Sequence, residues 1–224
     1  MLNAEPLDSK ARGQITLYYA PGSCAFAALV ALEVAGAEYE PIRLDLAAGD
    51  QRTPQYRALN PLGRVPTLVV DGKPVTELIA VLTYISSLFP AAELMPVNNP
   101  FLLAKSYEML SWFSTTLHVY VAQILRGERF SDDENVRAAL KEFGRRQLAE
   151  QLIRLDQLSA GASGGLIGNR MTVVDAFSLV IWRWAERLGI DTSGLTHWAA
   201  TVERMLALPA VRRAKEIEAS EVAV

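Results

Sequence analysis

The sequence is poor in cysteine, poor in histidine and has no excess of basic charge. A single cysteine among 224 residues excludes an intrachain disulfide, a Cys-x-x-Cys redox pair and a multi-cysteine zinc site. The two histidines, His118 and His197, match no metal-ligand spacing, so no metal site is expected. Lysine and arginine number 22 against 25 aspartates and glutamates, a net charge of −3. Without a basic surface to neutralise phosphates, no nucleic-acid partner is expected. No apolar run reaches about 18 residues without interruption, so no membrane partner is expected either. Residues 1–14, MLNAEPLDSKARGQ, are too polar for a signal peptide. They carry no apolar period that would dock them, and read as a flexible tail. The resulting expectation is a cytoplasmic protein.

What is present is an ordinary packed composition, with half of the residues hydrophobic, enough for one large domain or two small ones. Ile15 to Tyr19 is β-branched and aromatic and reads as a strand broken by Ala20-Pro21-Gly22-Ser23. Cys24 to Ala35 reads as a helix closed by Gly36. Tyr39 to Leu44 alternates like a second strand. Gly49 to Leu59 is polar and irregular, with room for a short helix, and Asn60-Pro61-Leu62-Gly63 is a turn. Val65 to Val70 is a third strand, and Asp71-Gly72 is a hairpin signal before Val75-Thr76. Glu77 to Leu88 has helical spacing. The first part therefore reads β-α-β-α-β-β-α. The crossover pair should be parallel and the hairpin pair antiparallel.

Prolines 90, 96 and 100 punctuate a linker over residues 89–99. Beyond it the pattern is helical throughout. The expected segments are Phe101 to Leu125, Asp132 to Leu158 with Ser131 or Asp132 as N-cap, Val173 to Leu188, Leu195 to Leu206 and Ala210 to Ala219. The predicted organisation is a tail (1–14), a mixed-sheet domain (15–88), a linker (89–99) and an all-α domain (100–224).

Several segments could carry chemistry. Cys24 stands where a strand turns into a helix, a setting that favours thiolate; equally, a free cysteine is often a small buried hydrophobe. Arg64-Val65-Pro66 precedes a strand. A cis Val65-Pro66 bond would turn the Val65 backbone outward to pair with an extended ligand, although most X-Pro bonds are trans. Glu77 opens a helix, where it either complements the dipole or holds a cationic amine beside helix-start N–H groups. Thr172 and Asp175 fit a capping pattern. His118 lies inside an apolar helix, where a lone histidine is more often a satisfied side chain than a catalyst. Trp182, Trp184 and Trp198 read as core.

Taken in order, Tyr18-Tyr19-Ala20-Pro21-Gly22-Ser23-Cys24, Asn60 to Pro66, Thr76-Glu77, Leu117-His118, the Thr172–Asp175 cap and Trp182-Arg183-Trp184 form a pattern. From Ile15 to about Ala219 the chain resembles a cytosolic glutathione transferase, most of all the bacterial beta class. The resemblance implies an α/β thioredoxin-like N-terminal domain followed by an all-α C-terminal domain, and a homodimer. It implies glutathione as cosubstrate, conjugated to small apolar electrophiles, with thiol exchange through Cys24 as a further route. Catalysis would fall to Cys24 and His118. Glutathione would be held by Tyr19, Arg64, Val65, a cis Pro66, Glu77 and Leu78, and Trp184 would line the electrophile pocket. Leu78 stands where the family usually has Ser or Gly, so its backbone N–H is kept and a hydroxyl contact is lost. Ala25 and Ser111 also depart from the pattern. A non-catalytic ligand- or partner-binding protein on the same fold is the alternative reading, and a specialised glutathione enzyme such as an isomerase is a third.

Overall fold

The computed structural model describes residues 13–220. The chain divides into two compact units. One runs to Leu94 and resumes at Pro209; the other spans Met95–Leu208. The expectation for residues 1–14 lies outside the described residues apart from Gly13 and Gln14. The Gln14 carbonyl accepts from the Asp71 N–H at 3.2 Å.

The first unit is built on four strands, β1 (Ile15–Tyr19), β2 (Glu40–Arg43), β3 (Thr67–Val70) and β4 (Lys73–Thr76), in the order β2-β1-β3-β4. β1 and β2 are parallel, with Leu17 opposite Pro41; β3 is antiparallel to both β1 and β4. The β1–β2 and β3–β4 pairings are those that the crossover and the Asp71-Gly72 turn dictate. Its helices are α1 (Phe26–Val34), α2 (Pro54–Leu59) and α3 (Leu78–Leu88). Thr53 caps α2 by accepting from the Tyr56 N–H, and Pro54 occupies the first turn, where its missing N–H costs nothing. Leu17, Phe26, Leu29, Leu68, Val81, Leu82 and Ile85 are fully buried and form the core. Each such side chain contributes about 1.5–3 kcal/mol through burial.

The sequence reading starts the first helix at Cys24, but α1 begins at Phe26. The Ser23 hydroxyl donates to the Ala20 carbonyl at 2.6 Å and accepts from the Ala25 N–H at 3.2 Å. Short-range bonds follow, from Phe26 N–H to the Ser23 carbonyl and from Ala27 N–H to the Cys24 carbonyl. The chain thus passes through tight turns before the helical register is established.

The second unit is helical: α4 (Pro100–Trp112), α5 (His118–Leu125), α6 (Glu134–Ser159), α7 (Val173–Arg187) and α8 (Thr196–Leu206). The single helix expected over Phe101 to Leu125 is interrupted by a π-helical turn over Phe113–Leu117, closed by the His118 N–H on the Phe113 carbonyl. The α6 N-cap is Asp133, not Ser131 or Asp132, because its carboxylate reaches the N–H groups of Asn135 and Val136. Thr172 and Asp175 form the expected reciprocal cap on α7. Asp175 is fully buried and also accepts from Leu166 N–H at 2.7 Å. Burial pushes its carboxyl pKa up, and the donated hydrogen bonds oppose that rise. The start of α8 is satisfied from outside: Asp156 on α6 accepts from the Trp198 N–H at 2.8 Å. Among the described residues, no helix is long and apolar enough to cross a membrane.

The last helix, α9 (Pro209–Ala219), was expected in an all-α domain over 100–224, but it packs with the first unit. The Tyr19 hydroxyl donates to the Ile217 carbonyl at 2.9 Å, Arg43 to the Ser220 carbonyl at 3.1 Å, and Arg213 pairs with Glu33 at 2.8 Å. Helical periodicity identifies α9 as a helix, but the groups that receive it are some 180 residues earlier in the chain, as Arg213 and Glu33 illustrate.

Candidate active site

Strand register brings the first-unit candidates to one end of the sheet. Thr67 lies opposite both Tyr18 and Thr76. The segments that leave the sheet there are Ala20 to Cys24 after β1, Arg64 to Pro66 before β3, and Glu77-Leu78 after β4. Antiparallel pairing on both sides of β3 is what gathers them.

Cys24 is buried, and its Sγ donates to the Val65 carbonyl at 3.7 Å. The Val65-Pro66 peptide is cis. The preceding loop is held from beneath. The Arg64 carbonyl accepts from the Tyr56 hydroxyl at 2.5 Å and from Asn60 Nδ2 at 2.8 Å, and both also reach Thr67 Oγ1. Burial pushes the Tyr56 pKa up, so the hydroxyl keeps its proton. At Gly63, φ is +59° and an added Cβ would stand 2.7 Å from the Gln51 carbonyl, so the turn has no room for a side chain. Arg64 is exposed and Val65 half-buried.

Glu77 is the N-cap residue of α3, with φ +67° and no side-chain cap bond. A non-glycine residue in that region costs of order 1–3 kcal/mol and marks a functional candidate. Its carboxylate is on the exposed side, while Leu78 is only 7% exposed. The leucine is therefore turned into the core of this unit, away from the open surface beside Glu77.

Tyr19 ends β1 beside these segments. It is buried, and its hydroxyl is engaged by Ile217 on α9. Burial raises its pKa; Arg43 lowers it and Glu218 raises it further. Gly22 N–H donates to the Glu218 carboxylate at 3.0 Å, so α9 also touches the loop leading to Cys24. No local sequence signal marks Glu218, and none marked Tyr56 and Asn60 as supports of Arg64.

A cavity of about 300 Å³ lies on the opposite face of the sheet, lined by Tyr18, Leu44, Thr53, Tyr56 and Leu59 among others. Strand alternation puts Tyr18 there while Tyr19 faces α9. None of the expected site residues lines it.

The second-unit candidates form their own cluster. The His118 ring lies 4.7 Å from Trp184 and 6.4 Å, edge-on, from Phe177. Phe113 also meets Phe177 edge-on, at 5.6 Å. Residues five apart share a face across a π turn but not in an α-helix. The turn is therefore what lets Phe113 and His118 meet the same ring. Trp184 is buried, and Trp182 packs edge-on against Trp198.

Residues 13–87 match the family model for the glutathione S-transferase N-terminal domain. Over 202 residues the chain is 30% identical to glutathione S-transferase GST-4.5 of Xanthomonas campestris pv. campestris, covering 90% of this chain and 98% of that protein. The chain belongs to the glutathione S-transferase family. The chain is also 32% identical over 214 residues to maleylacetoacetate isomerase maiA of Aspergillus fumigatus, covering 90% of each. Among solved structures, a glutathione transferase homologue from Sulfitobacter with bound glutathione superposes with a TM-score of 0.83. It is 28% identical, and the match covers 91% of this chain and 97% of that one. The beta-class glutathione S-transferase of Sphingomonas chungbukensis gives a TM-score of 0.79 at 25% identity, covering 91% of this chain and 98% of that one. The thioredoxin-like first unit and the helical second unit are thus the architecture of this family.

Proposed function

We propose that this protein conjugates glutathione, through its thiolate, to small apolar electrophiles. The observation that carries the proposal is the end of the sheet where the Cys24 thiol contacts the Val65 carbonyl and β4, beside β3, leads into Glu77. An extended tripeptide would pair with the Val65 backbone there. Its α-ammonium would face Glu77, and its γ-glutamyl carboxylate the N–H groups opening α3. Arg64 would meet the other carboxylate. His118 and Trp184 are assigned to the electrophile, His118 as a polar group and Trp184 as an apolar wall.

A free thiol with a pKa of about 8.5 is only about 3% ionised at pH 7. Lowering that pKa by about two units raises the thiolate fraction about 25-fold, but weaker nucleophilicity takes back most of the gain. Orientation of thiolate and electrophile is therefore the larger contribution. Cys24 supports a second reaction. Its thiolate attacks a glutathione mixed disulfide, giving a Cys24–glutathione disulfide and releasing the other thiol. A second glutathione thiolate then attacks that bond, forming oxidised glutathione and restoring Cys24. With one cysteine in the chain, that second thiol must come from solution.

A thermal melt with and without millimolar glutathione, on the parent and Leu78→Ser, tests the proposal. Saturation at about 100 times Kd stabilises by about 2.7 kcal/mol. A shift in the parent supports the site, and an electrophile screen then names the substrate. A shift in Leu78→Ser alone means that the hydroxyl usual at this position in the family is what glutathione binding lacks here. No shift in either favours a non-catalytic binding protein. The maleylacetoacetate isomerase among the relatives favours isomerisation of an unsaturated diacid as a second reading, tested by an isomerase assay with glutathione present. Cytoplasmic residence and a second copy of the chain as partner belong to the same proposal. Phe101, 71% exposed, and Val97, 62% exposed, supply apolar surface for such a partner.

A further inference from the structure

We infer that Glu218, on the last helix, is a positioning residue for Cys24. The inference rests on the reading of Cys24 as a reactive thiol. Glu218 is buried, an uncommon place for a carboxylate without a specific partner. Its Oε1 accepts from the Gly22 N–H at 3.0 Å. Gly22 sits in the left-handed region, φ +70°, at the bend between β1 and the Cys24 turn. A charged acceptor on a backbone donor is among the stronger hydrogen bonds. Within the same bend the Ser23 hydroxyl and N–H both close on the Ala20 carbonyl.

The helix bearing Glu218 is itself fixed next to that loop. The Tyr19 hydroxyl, immediately before the bend, holds the Ile217 carbonyl, and Arg43 on the neighbouring strand holds the Ser220 carbonyl. Residues 217, 218 and 220 thus meet the ends of β1 and β2 and the bend itself. Two residues beyond Gly22, the Cys24 thiol faces the Val65 carbonyl. Moving the bend moves the thiol relative to that carbonyl, so the carboxylate acts on the position of Cys24 through the backbone of the bend.

The test uses Glu218→Ala, Glu218→Gln and a control, Arg213→Ala, which removes the partly exposed ion pair of α9 with Glu33 and keeps the Glu218 carboxylate, with α9 still held at Tyr19 and Arg43. Two readouts are independent of glutathione: amide hydrogen exchange at Gly22, and the alkylation rate of Cys24 by iodoacetamide, unambiguous with one cysteine in the chain. Glu218→Ala is expected to speed Gly22 exchange by about tenfold or more and to change the alkylation rate by about threefold or more. Glu218→Gln, which keeps an acceptor oxygen, is expected to lie closer to the parent in both. Arg213→Ala is expected to leave both unchanged. If Glu218→Ala does not fold, Glu218→Asp, which withdraws the carboxylate by one methylene, takes its place. Unchanged exchange and alkylation, or the same changes in Arg213→Ala, would overturn the inference. If Cys24→Ala keeps every activity while these readouts still respond, it is the catalytic reading of Cys24 that fails, and the positioning by Glu218 stands.

Discussion

The Cys24 thiol donates its proton to the main-chain carbonyl of Val65 across 3.7 Å. The sulfur proposed as the exchange nucleophile and the backbone edge proposed to receive glutathione are therefore in contact. On the proposed function, conjugation would use only the edge, whereas exchange would use the sulfur as well. Cys24→Ala is expected to reduce glutathione-dependent disulfide exchange by about 100-fold or more, since the nucleophile is gone. Conjugation should stay within a few-fold of the parent. Parallel assays of the two reactions decide the matter, and full retention of both would remove Cys24 from catalysis.

Glu77 should trade stability against binding. Its φ of +67° is unfavourable for any residue with a Cβ. Glu77→Gly is expected to raise stability by about 1 kcal/mol while raising KM for glutathione about tenfold or more, as the carboxylate partner of the ammonium is lost. Chemical denaturation and steady-state kinetics on the same sample check both signs. A variant that is less stable than the parent would show that the strain reading of Glu77 is wrong.

Tyr56 supports the Arg64–Val65 edge from beneath. In Tyr56→Phe the Arg64 carbonyl keeps Asn60 but loses the hydroxyl. The expected loss is about 1–2 kcal/mol of stability, with a several-fold rise in KM for glutathione and a smaller effect on kcat. An unchanged KM would mean that Asn60 alone holds the edge.

Asp175 accepts from two N–H groups and the Thr172 hydroxyl. Every one of these partners donates, so an amide in its place would set its own N–H₂ against a donor. Asp175→Asn as well as Asp175→Ala should therefore destabilise the protein by about 2–4 kcal/mol. Urea titration followed by tryptophan fluorescence measures this. An Asn variant as stable as the parent would refute the assignment of the donors.

Tyr19, Tyr39 and Tyr56 all have pKa values pushed above 10, chiefly by burial, with Glu33 adding to the effect at Tyr39. In the unfolded chain they ionise near 10; in the folded protein they keep their protons to higher pH. The unfolded state then binds fewer protons, so stability falls as pH rises. Their contribution is intact below pH 10 and is lost as pH climbs toward the raised folded values. Melting temperature should drop steeply above pH 10, and less steeply in Tyr56→Phe.

Features set by neighbouring residues were legible in the sequence. The Asp71-Gly72 hairpin, the parallel β1–β2 pair, the Thr172–Asp175 cap and the close of α1 at Gly36 each follow from a few adjacent side chains. Distance along the chain hid the rest. Ser131, Asp132 and Asp133 are all competent caps, and only the backbone decides which oxygen reaches Asn135. The π turn before His118 has no periodic signature, because it shifts the apolar pattern by a single position. Nothing in the motif around Tyr19 signals that its hydroxyl is held by a carbonyl 198 residues later.

The return of α9 to the first unit has a consequence for synthesis. The Met95–Leu208 unit is continuous in the chain, so all of its parts are available before α9 has been made. The first unit is split around it. During translation the nascent sheet must wait, with the Tyr19 hydroxyl and the Gly22 amide lacking their α9 partners, until residues 209–220 clear the ribosome. The loop that carries Cys24 thus gains its bond to Glu218 only once α9 has been made.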